Sequence, residues 1–161
     1  MSAVEGEPGV DPDRFREALS RWASGVAVAA VRDEGRVLAT TVTALLSLTV
    51  EPPLLVISLG PGAQILPFLA PGGALGVSIL GDEQARIASV FADAFPVGAS
   101  PFAPEGDPVV EHALVRLGCR VERLEPAAGQ QLVILRVVEC AVADGDPLVR
   151  FGRAYRRLGD A

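Results

Sequence analysis

The sequence contains no lysine; all fourteen basic residues are arginine. Schiff-base chemistry and the lysine of a phosphate-binding loop are thereby excluded. Histidine occurs once, at His112, which rules out histidine-rich metal sites and leaves one candidate for any histidine-based triad. The two cysteines, Cys119 and Cys140, cannot build a zinc site alone, so no metal site is expected. One disulfide is arithmetically open, but two buried thiols suit a cytosolic chain better. No apolar run approaches the ~20 residues of a membrane helix. The start, Met1 to Asp11, is acidic with Gly and Pro and resembles neither a signal nor a transit peptide. These absences point to the cytoplasm. Cations are also outnumbered: twenty acidic residues give a net charge of −6 and a pI near 4.8. Non-specific binding to nucleic acid or to an acidic membrane is disfavoured.

What is present is apolar. Half of the 161 residues are hydrophobic and 21% are charged, which excludes disorder over most of the length. The size suits one domain that buries roughly 70% of its unfolded surface. Residues 1–10 read as a flexible lead-in and 11–161 as a single domain.

Asp11-Pro12 reads as an N-cap followed by proline in the first helical position. Phe15, Ala18, Leu19 and Trp22 follow at i, i+3, i+4 and i+7, one apolar helix face. Trp22 is therefore expected in the core, as is Phe91. Residues 25–32 and 36–48, around the Asp33-Glu34-Gly35 turn, predict a hairpin. Pro52-Pro53 interrupts, Leu54 to Leu59 is a buried strand, and Gly60-Pro61-Gly62 breaks it. Ala63 to Ala70 can form a short helix, limited by Pro67. Ala74 to Leu80 is another strand. Asp82 is the expected cap of a second helix with Ile87, Val90, Phe91 and Ala94 inward and Pro96 at its end. Val97 to Pro108 reads as a surface loop. Two long β runs, 114–124 and 132–142, flank a turn at 125–129. The second is apolar on both faces, as for a barrel wall that also meets a partner subunit. A last strand surrounds residues 146–148 and ends in 151–158. Strand signals at hairpin spacing argue for an antiparallel barrel rather than a βαβ array.

Several segments, in order, resemble the flavin reductase-like, FMN-binding split-barrel family. They are FREALSRWASGVAVAAV, ATTVTALLSLTVEPPLLVISL, GALGVSIL, the Phe91-Ala92 pair, ALVRLGCRVE and the closing AYRRL, together spanning roughly Phe15 to Leu158. The resemblance implies a mainly β fold: a six-stranded antiparallel split β-barrel of Greek-key type, with an N-terminal helix and two short inserted helices. It implies a homodimer with FMN or FAD at the subunit interface. It also implies reduction of flavin by NAD(P)H and delivery of reduced flavin to a partner monooxygenase. Some members only hold the flavin, so a non-catalytic split-barrel module (a flavin carrier, a partner subunit or a binder of another ligand) is the alternative.

Carried over residue by residue, the resemblance puts Thr41, Val42 and Thr43 on a strand edge facing the flavin ring and ribityl chain, and Ser78 at a further polar contact. No catalytic side chain is assigned. Ala44 stands where the family keeps a second serine. The family's Arg-Ser-x-Thr phosphate segment is here Gly62, Ala63, Gln64 and Ile65. Hydrogen bonds to a charged group contribute ~1.5–3 kcal/mol each, so two lost hydroxyls imply roughly two to four decades of affinity. Compensation would come from the N–H groups of the Gly60–Ala63 turn or from an arginine elsewhere. Gln130 takes the place of a histidine near the hydride donor, and Phe151 replaces another frequent histidine, while Tyr155 is kept. Hydride transfer to a flavin needs stacking and orientation more than a side-chain acid. Arg150, Arg153, Arg156 and Arg157 are expected to form a solvated or interface-paired face, or else to bind a nucleotide phosphate.

Overall fold

The computed structural model of the protein describes residues 8–93 and 99–159. Its elements run α1 (Pro12–Ser20), β1 (Ser24–Gly25), β2 (Ala27–Asp33), β3 (Arg36–Val42), β4 (Leu45–Thr49), β5 (Leu54–Leu59), β6 (Ala74–Ile79), α2 (Ala85–Ala92), β7 (Val115–Ala127), β8 (Gln130–Val142), β9 (Val149–Phe151) and β10 (Ala154–Arg156). Helix α1 starts as predicted: the Asp11 carboxylate accepts from the N–H groups of Asp13 and Arg14, and Pro12 opens the helix.

Seven strands form one antiparallel sheet in the order β3-β2-β6-β7-β8-β5-β4; β1, β9 and β10 form a small second one. Strands from both ends of the large sheet supply one buried cluster, which includes Ala29, Val42, Ile57, Leu75, Leu117 and Leu135. Such distant strands share a core only if the sheet curls on itself, so this is a barrel. Its edge strands β3 and β4 pair with β2 and β5, not with each other, and the chain passes between them at Thr43-Ala44. The barrel is split along that seam. The mainly β, antiparallel barrel is as expected, but the large sheet has seven strands rather than six; β2, β3, β5, β6, β7 and β8 are those of six or more residues. β4 and the small sheet are additions to these.

The predicted continuous run 36–48 is thus two strands. Its first half pairs as far as Val42 opposite Ala27, and its second starts with Leu45 opposite Ile57. A chain crossing from one sheet edge to the other must leave its ladder. The strand buried along both faces is β2, not the whole of β8. Ala27, Ala29 and Val31 face the barrel core, while Val26, Val28 and Ala30 join an outer cluster with Leu80, Ala88 and Phe91. β8 is buried at Val133, Ile134 and Leu135, but Val138 and Val142 are exposed.

Smaller corrections follow from local chemistry. The predicted helix at 63–70 is a single 3-10 turn, Leu66–Phe68, since Pro67 lacks an N–H. Before α2, Asp82 lies inside a 3-10 turn rather than capping; the Gly81 N–H is met by Gln84 Oε1 at 3.0 Å. Ala88 and Phe91 are the buried residues of α2, with Ile87 and Val90 half-buried. Ala94 and Pro96 fall outside the described residues. β7 and β8 extend to a two-residue turn at Ala128-Gly129, both at positive φ, the geometry a tight hairpin favours.

The expected surface loop is partly a covering for the barrel. Phe102 is buried, its ring centroid 5.2 Å from that of Phe91. Gly76 and Gly118 face each other across β6 and β7 and make room for this segment. A Cβ at Gly76 would run into the Pro108 carbonyl, and one at Gly118 into the Asp107 carboxylate. Arg120 Nη1 donates to both Asp107 oxygens at 2.9 and 3.2 Å.

Candidate functional site

The seam opens into a cleft of about 940 Å³, in the range of ~300–1,000 Å³ common to small-molecule and cofactor sites. The seam itself supplies Val42, Thr43 and Ala44, and β5 supplies Val56 and Ser58. Leu19 and Trp22 of the α1 region line the cleft together with Leu46, Leu132 and Phe151. The β9–β10 hairpin is tied to α1 by the Gly152 N–H, which donates to the Ser20 carbonyl at 2.8 Å. A further tie is the ion pair between Arg153 and Glu17 at 3.7 Å.

These walls follow from the strand pattern. In β5, Leu55, Ile57 and Leu59 point into the core, which leaves Leu54, Val56 and Ser58 for the other face. The Ser58 N–H donates to the Ala44 carbonyl at 3.0 Å, fixing the seam beside this face. Trp22 is 75% exposed and Phe15 56% exposed, and α1 contributes no buried residue. The expectation of Trp22 as a core aromatic is therefore corrected: a nine-residue helix with one narrow apolar stripe rests beside the cleft instead of in the barrel. Phe91 is in the core as expected.

Three arginines line the cleft, Arg16, Arg150 and Arg153. Arg16 pairs with Asp13 at 2.5 Å. Arg150 lies over the Tyr155 ring, 5.1 Å from its centroid. Burial raises the Tyr155 hydroxyl above its ordinary pKa of 10.0, with Arg150 pulling it down more weakly; the phenol stays protonated at neutral pH. Among the described residues, no three His, Cys, Asp or Glu side chains converge as metal ligands. No described helix is long and apolar enough to cross a membrane.

Of the four residues expected at a cofactor, Val42 and Thr43 line the cleft, Val42 being 3% exposed and shared with the core. Thr41 turns away: its hydroxyl donates to the Ala88 carbonyl of α2 at 2.7 Å. Ser78 does not line the cleft. It is 1% exposed, and its hydroxyl accepts from the Val110 N–H at 2.8 Å, so it anchors the covering segment. Ile65 is fully buried in the barrel core, and the Ala63 N–H closes a turn on the Gly60 carbonyl. The missing hydroxyl at Ile65 is therefore not a vacancy at a phosphate. Gln130 opens β8 just after the β7–β8 turn, its Oε1 beside Gly60, and does not line the cleft. His112 is exposed at positive φ. Cys119 is buried, but Cys140 is exposed, against the expectation of two buried thiols.

Ser58, Trp22 and Phe151 were not among the expected site residues. The alternation of β5 identifies Ser58 as outward-facing; nothing local says that the outer face meets a cleft.

Comparison with known proteins gives consistent results. Residues 19–159 match the model of the flavin reductase like domain. The reductase component of 4-hydroxyphenylacetate 3-monooxygenase from Thermus thermophilus is 39% identical over 147 residues, covering 91% of this chain and 96% of that one. An NADH-dependent flavin reductase from a Rhodococcus species is 35% identical over 162 residues, covering 98% and 92%. The solved styrene monooxygenase flavin reductase of Pseudomonas putida superposes with a TM-score of 0.83 at 29% identity, covering 91% of this chain and 98% of that one.

Proposed function

Since the chain belongs to the flavin reductase like domain family, we propose that it is an NADH-dependent flavin reductase whose cleft at the barrel seam binds FMN or FAD. The observation that carries this reading is the cleft itself: about 940 Å³, opening where two sheet edges part, with apolar walls and a few polar groups. That composition fits a planar tricycle with a polar rim. Bound flavin supplies the hydride-accepting chemistry. The chain's own residues bind, orient and exclude water. Trp22, Leu132 and Phe151 offer flat or branched apolar surface against a ring. The Val42-Thr43 edge and the Thr43 and Ser58 hydroxyls offer donors and acceptors to its rim. A proton-transferring side chain is not required, in keeping with a cleft that holds no histidine.

Reduced flavin serves a partner monooxygenase, as expected of a chain similar to a monooxygenase reductase component. Residues 11–161 act as one unit behind the lead-in 1–10. Phe15, Leu19 and Trp22, with Leu46 and Leu48, are exposed large apolar residues, and Leu19, Trp22 and Leu46 meet at one cleft. Contiguous exposed apolar surface marks an interface, and a second copy of the chain covering it makes a homodimer that also closes the cleft. Two unbridged cysteines support a reducing, cytoplasmic setting.

The test is a titration of the purified protein with FMN and FAD, followed by absorbance and by quenching of flavin fluorescence, then NADH oxidation against a buffer blank. Saturable binding with flavin-dependent turnover is expected. A protein that binds neither flavin, or oxidises NADH no faster than the blank, overturns the reading.

A further inference from the structure

The three cleft arginines differ in what holds them. Arg16 pairs with Asp13 at 2.5 Å, and Arg153 lies 3.7 Å from Glu17, a carboxylate it shares with Arg21. Arg150 has no carboxylate within ion-pair distance among the described residues. Its guanidinium instead lies 5.1 Å from the centroid of the Tyr155 ring. The register explains why: Ser24, Arg150 and Tyr155 are direct neighbours across β1, β9 and β10, so their side chains share a face. A half-buried cation stacked on an aromatic face loses little rotamer freedom on binding a ligand. The planar fork that it presents matches phosphate geometry. Arg150 therefore differs from a solvated surface charge: it is oriented, partly dehydrated and unneutralised at the mouth of a cleft.

Resting on the flavin reductase reading, we propose that Arg150 is the anion-binding residue of the cleft, taking a phosphate of the bound nucleotide. This assigns to one arginine the compensation that the Gly62–Ile65 segment cannot provide through side chains. The phosphate has two sources, the flavin and the pyridine dinucleotide, and they are separable.

The experiment compares wild type, Arg150→Gln and Arg150→Lys, each verified by its circular dichroism spectrum and thermal melt. Dissociation constants for riboflavin, FMN and FAD are measured by fluorescence quenching, and KM and kcat for NADH in steady state. If the flavin phosphate is the partner, Arg150→Gln weakens FMN by about ten- to a hundred-fold and leaves riboflavin unchanged. If the dinucleotide is the partner, KM for NADH rises by that factor while kcat and the FMN constant hold. In either case Arg150→Lys recovers part of the loss, since it keeps the charge but not the fork. Equal weakening of riboflavin and FMN, or no change in any constant, overturns the assignment while leaving the reductase reading intact. A wild-type protein that binds none of the three flavins overturns both.

Discussion

Thr41, Val42 and Thr43 are consecutive, yet each meets different surroundings. Successive strand residues face opposite sides of a sheet. Thr41 thus meets α2, Val42 meets the barrel core, and Thr43 lies past the last rung of the ladder, at the cleft. Two hydroxyl deletions separate structural from ligand roles. Ser78→Ala orphans the buried Val110 N–H and is expected to cost about 1–3 kcal/mol in urea unfolding, with flavin affinity unchanged. Thr43→Val removes an exposed hydroxyl; stability should hold while flavin binding weakens by a few-fold to about ten-fold. Swapped results would restore Ser78 to the ligand site. Cys119 makes a third residue-level case. Burial, aided by nearby Asp107, pushes its thiol from 9.0 up to about 12. The folded thiol therefore stays protonated where the unfolded one ionises. Its stabilising contribution is complete below pH about 9 and declines as pH rises from there to about 12. At pH 8 an aromatic disulfide reagent should label one thiol per native chain, Cys140, and two in denaturant. Two fast thiols in the native protein would contradict the burial of Cys119.

Among the elements, the segment over β6 and β7 depends on what two residues lack. Gly76→Ala puts a methyl group where the Pro108 carbonyl sits. Backbone must then shift, with an expected loss of about 1–3 kcal/mol and faster proteolysis within residues 99–113. An unchanged melt and an unchanged digestion pattern would show that this segment does not press on the sheet. The glycine pair is visible in the sequence, but its purpose is not, because β6 and β7 come together only through pairing across more than thirty residues. The same division governs the rest. Local chemistry sufficed for the Asp11-Pro12 cap, for β5 and for the turn at residues 33–35, since each is set by neighbours in the chain. Periodicity failed at Trp22, where an apolar stripe has the spacing of a core face but covers a cleft. It failed also at residues 36–48, where the break at Thr43-Ala44 is imposed by two different pairing partners. Of the cleft lining, Val42 and Thr43 were singled out through family resemblance. Arg150 became distinct from the other arginines only once strand register set it beside Tyr155.

For the whole molecule, the exposed apolar surface around α1 and β4 predicts association. Light scattering at micromolar concentration should give twice the chain mass of 16.7 kDa. Phe15→Glu, which adds a charge outside the cleft, should shift the population toward the single-chain mass; a wild type of single-chain mass would remove the second copy from the account. The two sides of the barrel seam differ in how they resist a foreign strand. The β3 side is fastened to α2 through the Thr41–Ala88 hydrogen bond. The β4 side exposes Leu46 and Leu48 and relies on its own shape for protection: it is only five residues long and carries a register shift between Ser47 and Thr49. Short, kinked borders discourage strand recruitment, whereas flat greasy ones invite it. The irregularity at Ser47–Thr49 works against such recruitment, and straightening β4 is expected to make this border the place where misassembly begins.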